Sequence, residues 1–139
     1  MSKALSEDGY LHLRHNKTLL IAHLIFVTKF RHKLYRQNVW DSIKELIHEM
    51  AERMHVVIMV MESDIDHIHL LIRYDPTLSI YSIASRLKQF TTYHLWQKCP
   101  DYLINFYREE RTLWNEGYFA CSVGNASKET IEEYIRNQG

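Results

Sequence analysis

The chain has 139 residues, 46% hydrophobic and 24% charged, which suits one compact domain with its own core and excludes a disordered or fibrous segment. Seventeen Lys plus Arg balance seventeen Asp plus Glu, which argues against a generic nucleic-acid coat protein and makes the placement of charge matter more than its sum. No apolar run nears the length that crosses a bilayer, and residues 1–10 are polar where a signal peptide needs an apolar stretch, so a cytoplasmic chain with free thiols at Cys99 and Cys121 and no membrane partner is expected.

Residues 19–30 (LLIAHLIFVTKF) are apolar on both alternations, β-branched at Ile21, Ile25 and Val27, and free of Gly and Pro, the pattern of a central strand. The strand runs into Lys29-Phe30-Arg31-His32-Lys33-Leu34-Tyr35-Arg36, where four fixed positive charges interleave with aromatics. Such a cluster is either a solvated loop or a footprint for phosphates with bases stacked alongside. Over residues 38–54 the apolar positions recur with the 3.6-residue period of an amphipathic helix, Asn38 serving as N-cap and His48 and His55 as surface residues. Residues 56–61 (VVIMVM) read as a second strand, residues 62–66 as a tight polar turn, and residues 67–74 as a third strand.

Asp75-Pro76 ends that strand, and Ser79 caps a second amphipathic helix with Arg86, Lys88 and Gln89 on its polar side. Residues 98–111 have no regular pattern. Residues 118–123 read as a fourth strand closed by Gly124 and Asn125, after which Ser127 caps a last helix reaching about residue 138, with Glu129, Glu132 and Glu133 in its first half, where the helix dipole favours acids. The expected fold is therefore α+β: a ferredoxin-like βαββαβ antiparallel sheet with two helices on one face, plus a C-terminal helix carrying Tyr134. The third strand is central in that topology, and its His67/His69 alternation faces away from the two helices, where the terminal helix can pack.

Two imidazoles at i and i+2 on a rigid strand form a ready pair of metal ligands, although such a pair also occurs as two half-exposed surface histidines. Tyr134 and Gln138 are four residues apart, on one helical face about 6 Å apart along the axis, so a phenol and a carboxamide are presented together. The carboxamide oxygen can complete a three-ligand site with His67 and His69. A phenol of pKa about 10 needs an activated electrophile and a positive environment to act as a nucleophile, and a divalent ion supplies both. Taken singly, Tyr134 is an ordinary amphipathic-helix tyrosine and Gln138 a surface residue. Asp64 and Asp66 either tune the imidazoles from behind or solvate the turn.

Asp66-His67-Ile68-His69, together with Tyr134-Ile135-Arg136-Asn137-Gln138, resembles the single-tyrosine HUH transposases of the IS200/IS605 insertion-sequence group. His23-Leu24-Ile25-Phe26 followed by Lys29-Phe30-Arg31 is similar to that family's first strand and basic turn, as Leu113-Trp114 with Gly117-Tyr118-Phe119 is to the approach to its last strand. The resemblance spans residues 19–138. It implies that His67, His69 and Gln138 bind Mg²⁺ or Mn²⁺, and that Tyr134 cuts single-stranded DNA to leave a 5′-phosphotyrosine and a free 3′-OH, a step a later hydroxyl reverses. It also implies substrates with hairpin ends and a homodimer whose active sites are shared between subunits. Relatives often carry a tail beyond the glutamine, so a frayed final turn is expected where this chain stops at Gly139.

On charge and placement, Lys29, Arg31, Lys33, Arg36, Arg86 and Lys88 are candidates for phosphate contacts, and Phe30 and Tyr35 for stacking on unpaired bases. Two rival readings stay open: a domesticated relative that processes hairpins in its host genome, and a non-catalytic ferredoxin-like DNA-binding module whose histidines hold a structural metal.

Overall fold

The computed structural model describes residues 11–12, 17–18, 20–123 and 128–138. Two short strands, β1 (Leu11–His12) and β2 (Lys17–Thr18), pair antiparallel with each other. The main sheet is built from β3 (Leu20–Val27), β4 (Val57–Asp64), β5 (His67–Tyr74) and β6 (Phe119–Ser122) in the order β4-β5-β3-β6, every neighbouring pair antiparallel. Helices α1 (Gln37–Arg53) and α2 (Ile80–Lys98) are the crossovers, giving the expected ferredoxin-like topology with β5 and β3 central. Helix α4 (Lys128–Arg136) follows β6.

The sheet sorts its side chains by alternation. Ala22, Leu24 and Phe26 of β3 and Ile68, Leu70 and Ile72 of β5 form one buried cluster with Val39, Trp40, Ile43 and Ile47 of α1 and Ile83, Ala84 and Leu87 of α2. Each buried Leu, Ile or Phe contributes about 1.5–3 kcal/mol, so these positions lock the register. The odd-numbered residues 67 and 69 are thereby committed to the opposite face.

Several boundaries differ from the sequence pattern. Strand β4 continues through Glu62, Ser63 and Asp64, expected as turn, because each pairs with β5 (Glu62 with His69, Ser63 with Ile68, Asp64 with His67). Only Ile65 and Asp66 make the turn, tightened by an Asp64 Oδ1 that accepts from the Ile65 N–H at 2.8 Å. Helix α1 starts one residue early: Arg36 takes the N-cap position, its carbonyl accepting from Val39, and Asn38 lies inside the first turn. Ser79 caps α2 as expected, its hydroxyl accepting from Ser82 N–H at 3.0 Å. Within residues 98–111, Pro100 opens the short helix α3 (Pro100–Leu103). Helix α4 stops at Arg136, so Gln138 lies past its last helical residue. Gly124, Asn125 and Ser127, expected as turn and cap, lie outside the described residues.

No helix among the described residues is long and apolar enough to cross a membrane. After α1 the backbone turns through His55 at φ 59°, a left-handed conformation that costs a side chain energy and a glycine little. His55→Gly is expected to raise the unfolding free energy by about 0.5 kcal/mol, read from the denaturant midpoint; a lowered midpoint would show that the exposed imidazole contributes more than the backbone strain costs.

Candidate active site

On the face turned away from α1 and α2, Glu62, His69, Ile25 and Phe119 form one row across the four strands, and Asp64, His67 and Val27 a second. His23 belongs to the same alternation of β3 and meets His69 on the diagonal: its Nδ1 lies 2.8 Å from His69 Nε2 and the rings stack with centroids 5.0 Å apart. One of these nitrogens donates and the other accepts. Burial, chiefly, and the neighbouring His23 hold the His69 pKa below its ordinary value, so His69 is neutral at pH 7 with a lone pair to share.

His67 is oriented from behind. Its Nδ1–H donates to Asp66 Oδ1 at 2.9 Å, because an ionised carboxylate can only accept, and this leaves Nε2 as the ring's free acceptor. Asp66 is buried, and its other oxygen accepts from Arg31 Nε at 3.1 Å. The Asp66 carboxylate therefore orients an imidazole and takes no part in a solvated turn. Asp64, by contrast, is exposed at the end of β4 and shapes the turn through Ile65.

His67 and His69 line an open cleft of about 820 Å³ together with Glu62, Ser63 and Asp64 of β4 and Glu132, Ile135 and Arg136 of α4. Helix α4 thus lies over the histidine face. At 100° per residue, positions 132, 135 and 136 share one side of this helix and position 134 points elsewhere. Tyr134 packs its ring 5.4 Å from that of Phe119, and its hydroxyl sits 3.8 Å from where a Cβ on Gly117 would stand. Burial raises its pKa, so the phenol is protonated at neutral pH.

Neither Tyr134 nor Gln138 is among the residues lining this cleft. The Gln138 carboxamide oxygen instead accepts a short hydrogen bond from the Asn115 side chain. Asn115 in turn donates its backbone N–H to Val27 O at 2.7 Å, and Val27 is the register partner of His67, which keeps Gln138 near the histidine rows. Among the described residues, no three His, Cys, Asp or Glu side chains are grouped to hold a metal by themselves. The two imidazoles, one backed by a carboxylate, with the acidic wall of Glu62 and Asp64 beside them, offer both nitrogen and oxygen donors to a divalent cation.

The basic turn divides by role. Lys29 lies 3.7 and 3.8 Å from Glu110 and Glu116, and Arg31 is held by Asp66. Phe30 (66% exposed), Tyr35 (72% exposed), Lys33 and Arg36 face solvent, with Arg36 stacked over Tyr102 at 4.2 Å. Arg86 is exposed beside Phe90, Tyr93 and His94 on α2. Lys88 differs from the expected phosphate contact: its Nζ donates to the carbonyls of Asn115, Glu116 and Gly117 at 2.6, 2.8 and 3.1 Å, which uses all three ammonium hydrogens. Burial lowers its pKa. Lys88→Met is expected to cost about 2 kcal/mol of stability, read from the denaturant midpoint; unchanged stability would return Lys88 to the candidates for a phosphate contact.

Sequence reading did not assign functions to His23, Glu62 or Asn115. A histidine inside an otherwise apolar strand run was a signal for the first, whereas Glu62 reads as part of a polar turn and nothing local marks Asn115 as the partner of Gln138.

The family model for IS200-like transposases matches residues 16–138. The chain belongs to the IS200-like transposases. It is 28% identical over 127 residues to the transposase for insertion sequence element IS200 of Salmonella typhimurium, covering 91% of this chain and 81% of that protein. It is 27% identical over 116 residues to the ISDra2 transposase TnpA of Deinococcus radiodurans, covering 84% and 81%. A Deinococcus radiodurans R1 protein crystallised as a candidate transposase superposes with a TM-score of 0.83 at 26% identity, covering 91% of this chain and 96% of that one. A REP-associated tyrosine transposase bound to a REP hairpin shares the fold at TM-score 0.56 and 8% identity, covering 91% and 69%. This transposase is thus of a family that cuts and rejoins DNA.

Proposed function

We propose that this transposase cuts and rejoins single-stranded DNA at hairpin-bearing insertion-sequence ends through Tyr134, with His67, His69 and Gln138 holding Mg²⁺ or Mn²⁺. The observation that carries the reading is the pair of oriented, cleft-lining imidazoles beneath the helix that bears the tyrosine. The Tyr134 oxygen loses its proton and forms a bond to phosphorus; the bond from phosphorus to the 3′ oxygen breaks, leaving a 5′-phosphotyrosine and a 3′-OH. Attack by a 3′-OH on that ester reverses the step, so strands rejoin without a nucleotide cofactor. A divalent ion bound to the histidines supplies positive charge at the scissile phosphate and polarises it.

The chain's own residues prepare the site: Asp66 fixes the His67 tautomer, the burial of His69 keeps it neutral, and Glu62 and Asp64 make the wall acidic. Gln138, whose carboxamide oxygen accepts from Asn115, would be the third residue to hold the ion. Since Tyr134 is not among the residues lining its own cleft, either α4 re-docks or the tyrosine serves the cleft of a second subunit. The second arrangement fits a homodimer joined edge to edge along β6, a short strand at the margin of the four-stranded sheet. Lys33, Arg36, Phe30 and Tyr35 are the exposed cationic and aromatic side chains available to phosphates and unpaired bases.

The test is to incubate the protein with single strands copied from both flanks of its gene, plus Mn²⁺, and look for a protein–DNA adduct on a denaturing gel. An adduct mapping to Tyr134 supports the reading. Tight hairpin binding by folded protein without any adduct would move the assignment to a non-cleaving DNA-binding protein.

A further inference from the structure

Arg31 stands at the junction of three elements. Its backbone is left-handed at φ 53°, directly after Phe30 at φ 59°, so two consecutive non-glycine residues adopt a conformation that L side chains avoid. The surroundings enforce it: Arg31 N–H donates to Thr28 O at 2.8 Å, Lys29 N–H to Leu113 O at 2.9 Å and Leu34 N–H to Ile65 O at 2.8 Å. The result is a guanidinium aimed inward across the sheet end, where Nε donates to Asp66 Oδ2 at 3.1 Å and Nη1 donates to the carbonyl of Arg136 at 3.0 Å.

Both contacts bear on the reaction. Asp66 is the carboxylate that orients His67, and Arg136 is the last helical residue of α4, two residues beyond Tyr134. The carbonyls at a helix C-terminus lack intrahelical partners and carry partial negative charge, which suits a guanidinium. We propose that Arg31 is a positioning residue that couples the docking of the tyrosine helix to the orientation of the His67 imidazole. This replaces the phosphate-contact role suggested by its place in the basic turn. Two of its donors are committed within the chain, and it is less exposed than its neighbours Phe30, Lys33 and Tyr35. When α4 leaves, Arg31 loses one of its two acceptors and is held by Asp66 alone, so the carboxylate that supports the His67 ring is less firmly placed. The inference rests on the roles assigned above to Tyr134 and His67.

The test compares wild type, Arg31→Ala and Arg31→Lys by three readouts. Amide exchange at Asn137 and Gln138, whose N–H groups bond to Glu133 O and Ile135 O, is expected to speed up at least about tenfold in Arg31→Ala. The imidazole ¹⁵N shifts of His67 are expected to move from a fixed Nδ1–H tautomer toward averaged values. The single-turnover rate of adduct formation at saturating DNA is expected to fall at least about tenfold, while hairpin affinity and its salt dependence stay as in wild type. Arg31→Lys, which keeps the charge but cannot span both acceptors, is expected to behave like Arg31→Ala and serves if that variant folds poorly.

A salt slope reduced by about 0.7 with exchange and ¹⁵N shifts unchanged would overturn the proposal in favour of a phosphate contact. Exchange and ¹⁵N changes in a protein that forms no adduct even as wild type would support the coupling while sinking the tyrosine-nucleophile reading. Wild-type adduct formation that persists at full rate in both variants, with exchange unaltered, would do the reverse.

Discussion

Tyr134→Phe is expected to abolish the covalent protein–DNA adduct, a loss of at least about 10³-fold in cleavage, while hairpin binding stays within a few-fold of wild type. The substitution removes one oxygen. The ring contact with Phe119 at 5.4 Å is kept, and the hydroxyl lies 3.8 Å from where a Cβ on Gly117 would stand, so the stability change should stay within about 0.5 kcal/mol. A loss of adduct can then be read as loss of the nucleophile and not of the fold. The measurement is a denaturing gel of protein, Mn²⁺ and labelled strand, alongside an affinity measured on the same samples. Residual cutting by the phenylalanine variant would hand the nucleophile to another group.

The second large effect is expected at the histidines. His67→Ala and His69→Ala should each weaken Mn²⁺ binding at least about 100-fold and remove metal-dependent cutting, with the fold intact. Both residues are only half-buried, on the face away from the α1–α2 core, so neither substitution opens a cavity beneath the helices. The two should differ in detail. Alanine at 67 leaves the buried Asp66 with Arg31 as its remaining side-chain partner, and alanine at 69 leaves His23 without its hydrogen-bond partner. Mn²⁺ titration by calorimetry or electron spin resonance separates loss of metal from loss of cutting. Unaltered Mn²⁺ affinity in both variants would remove the histidines from the ligand set.

Much of this site was legible because β-strand alternation is a strict code. A pattern of apolar residues at 68, 70 and 72 places His67 and His69 together on the other face whatever the loops do, and the βαββαβ order makes their strand central. What the pattern could not show was decided by contacts far apart in sequence. Glu62 and Asp64 look like turn residues until β5 is alongside to pair with them. Lys88 looks like a solvated helix charge until the carbonyls of residues 115–117 arrive around it. Arg31, read as one more cation in a basic run, is turned inward by a left-handed backbone that no propensity favours. The Tyr134–Gln138 spacing presumed a helix continuing to residue 138, whereas α4 ends at Arg136 and Asn115 takes up the carboxamide.

The two-residue turn at Ile65 and Asp66 also bears on how such a site can change over time. Adding or deleting one codon between a fixed core and the histidines would swap every side chain of β5 from one face to the other, driving imidazoles into the space of Ile68 and Leu70 and lifting those residues into the cleft. Steps of two would merely slide the pair along the strand. A one-residue change at this hairpin therefore keeps the site only if it is taken up in the turn or as a bulge, as the register shift between Ile58 and Val60 of β4 already is.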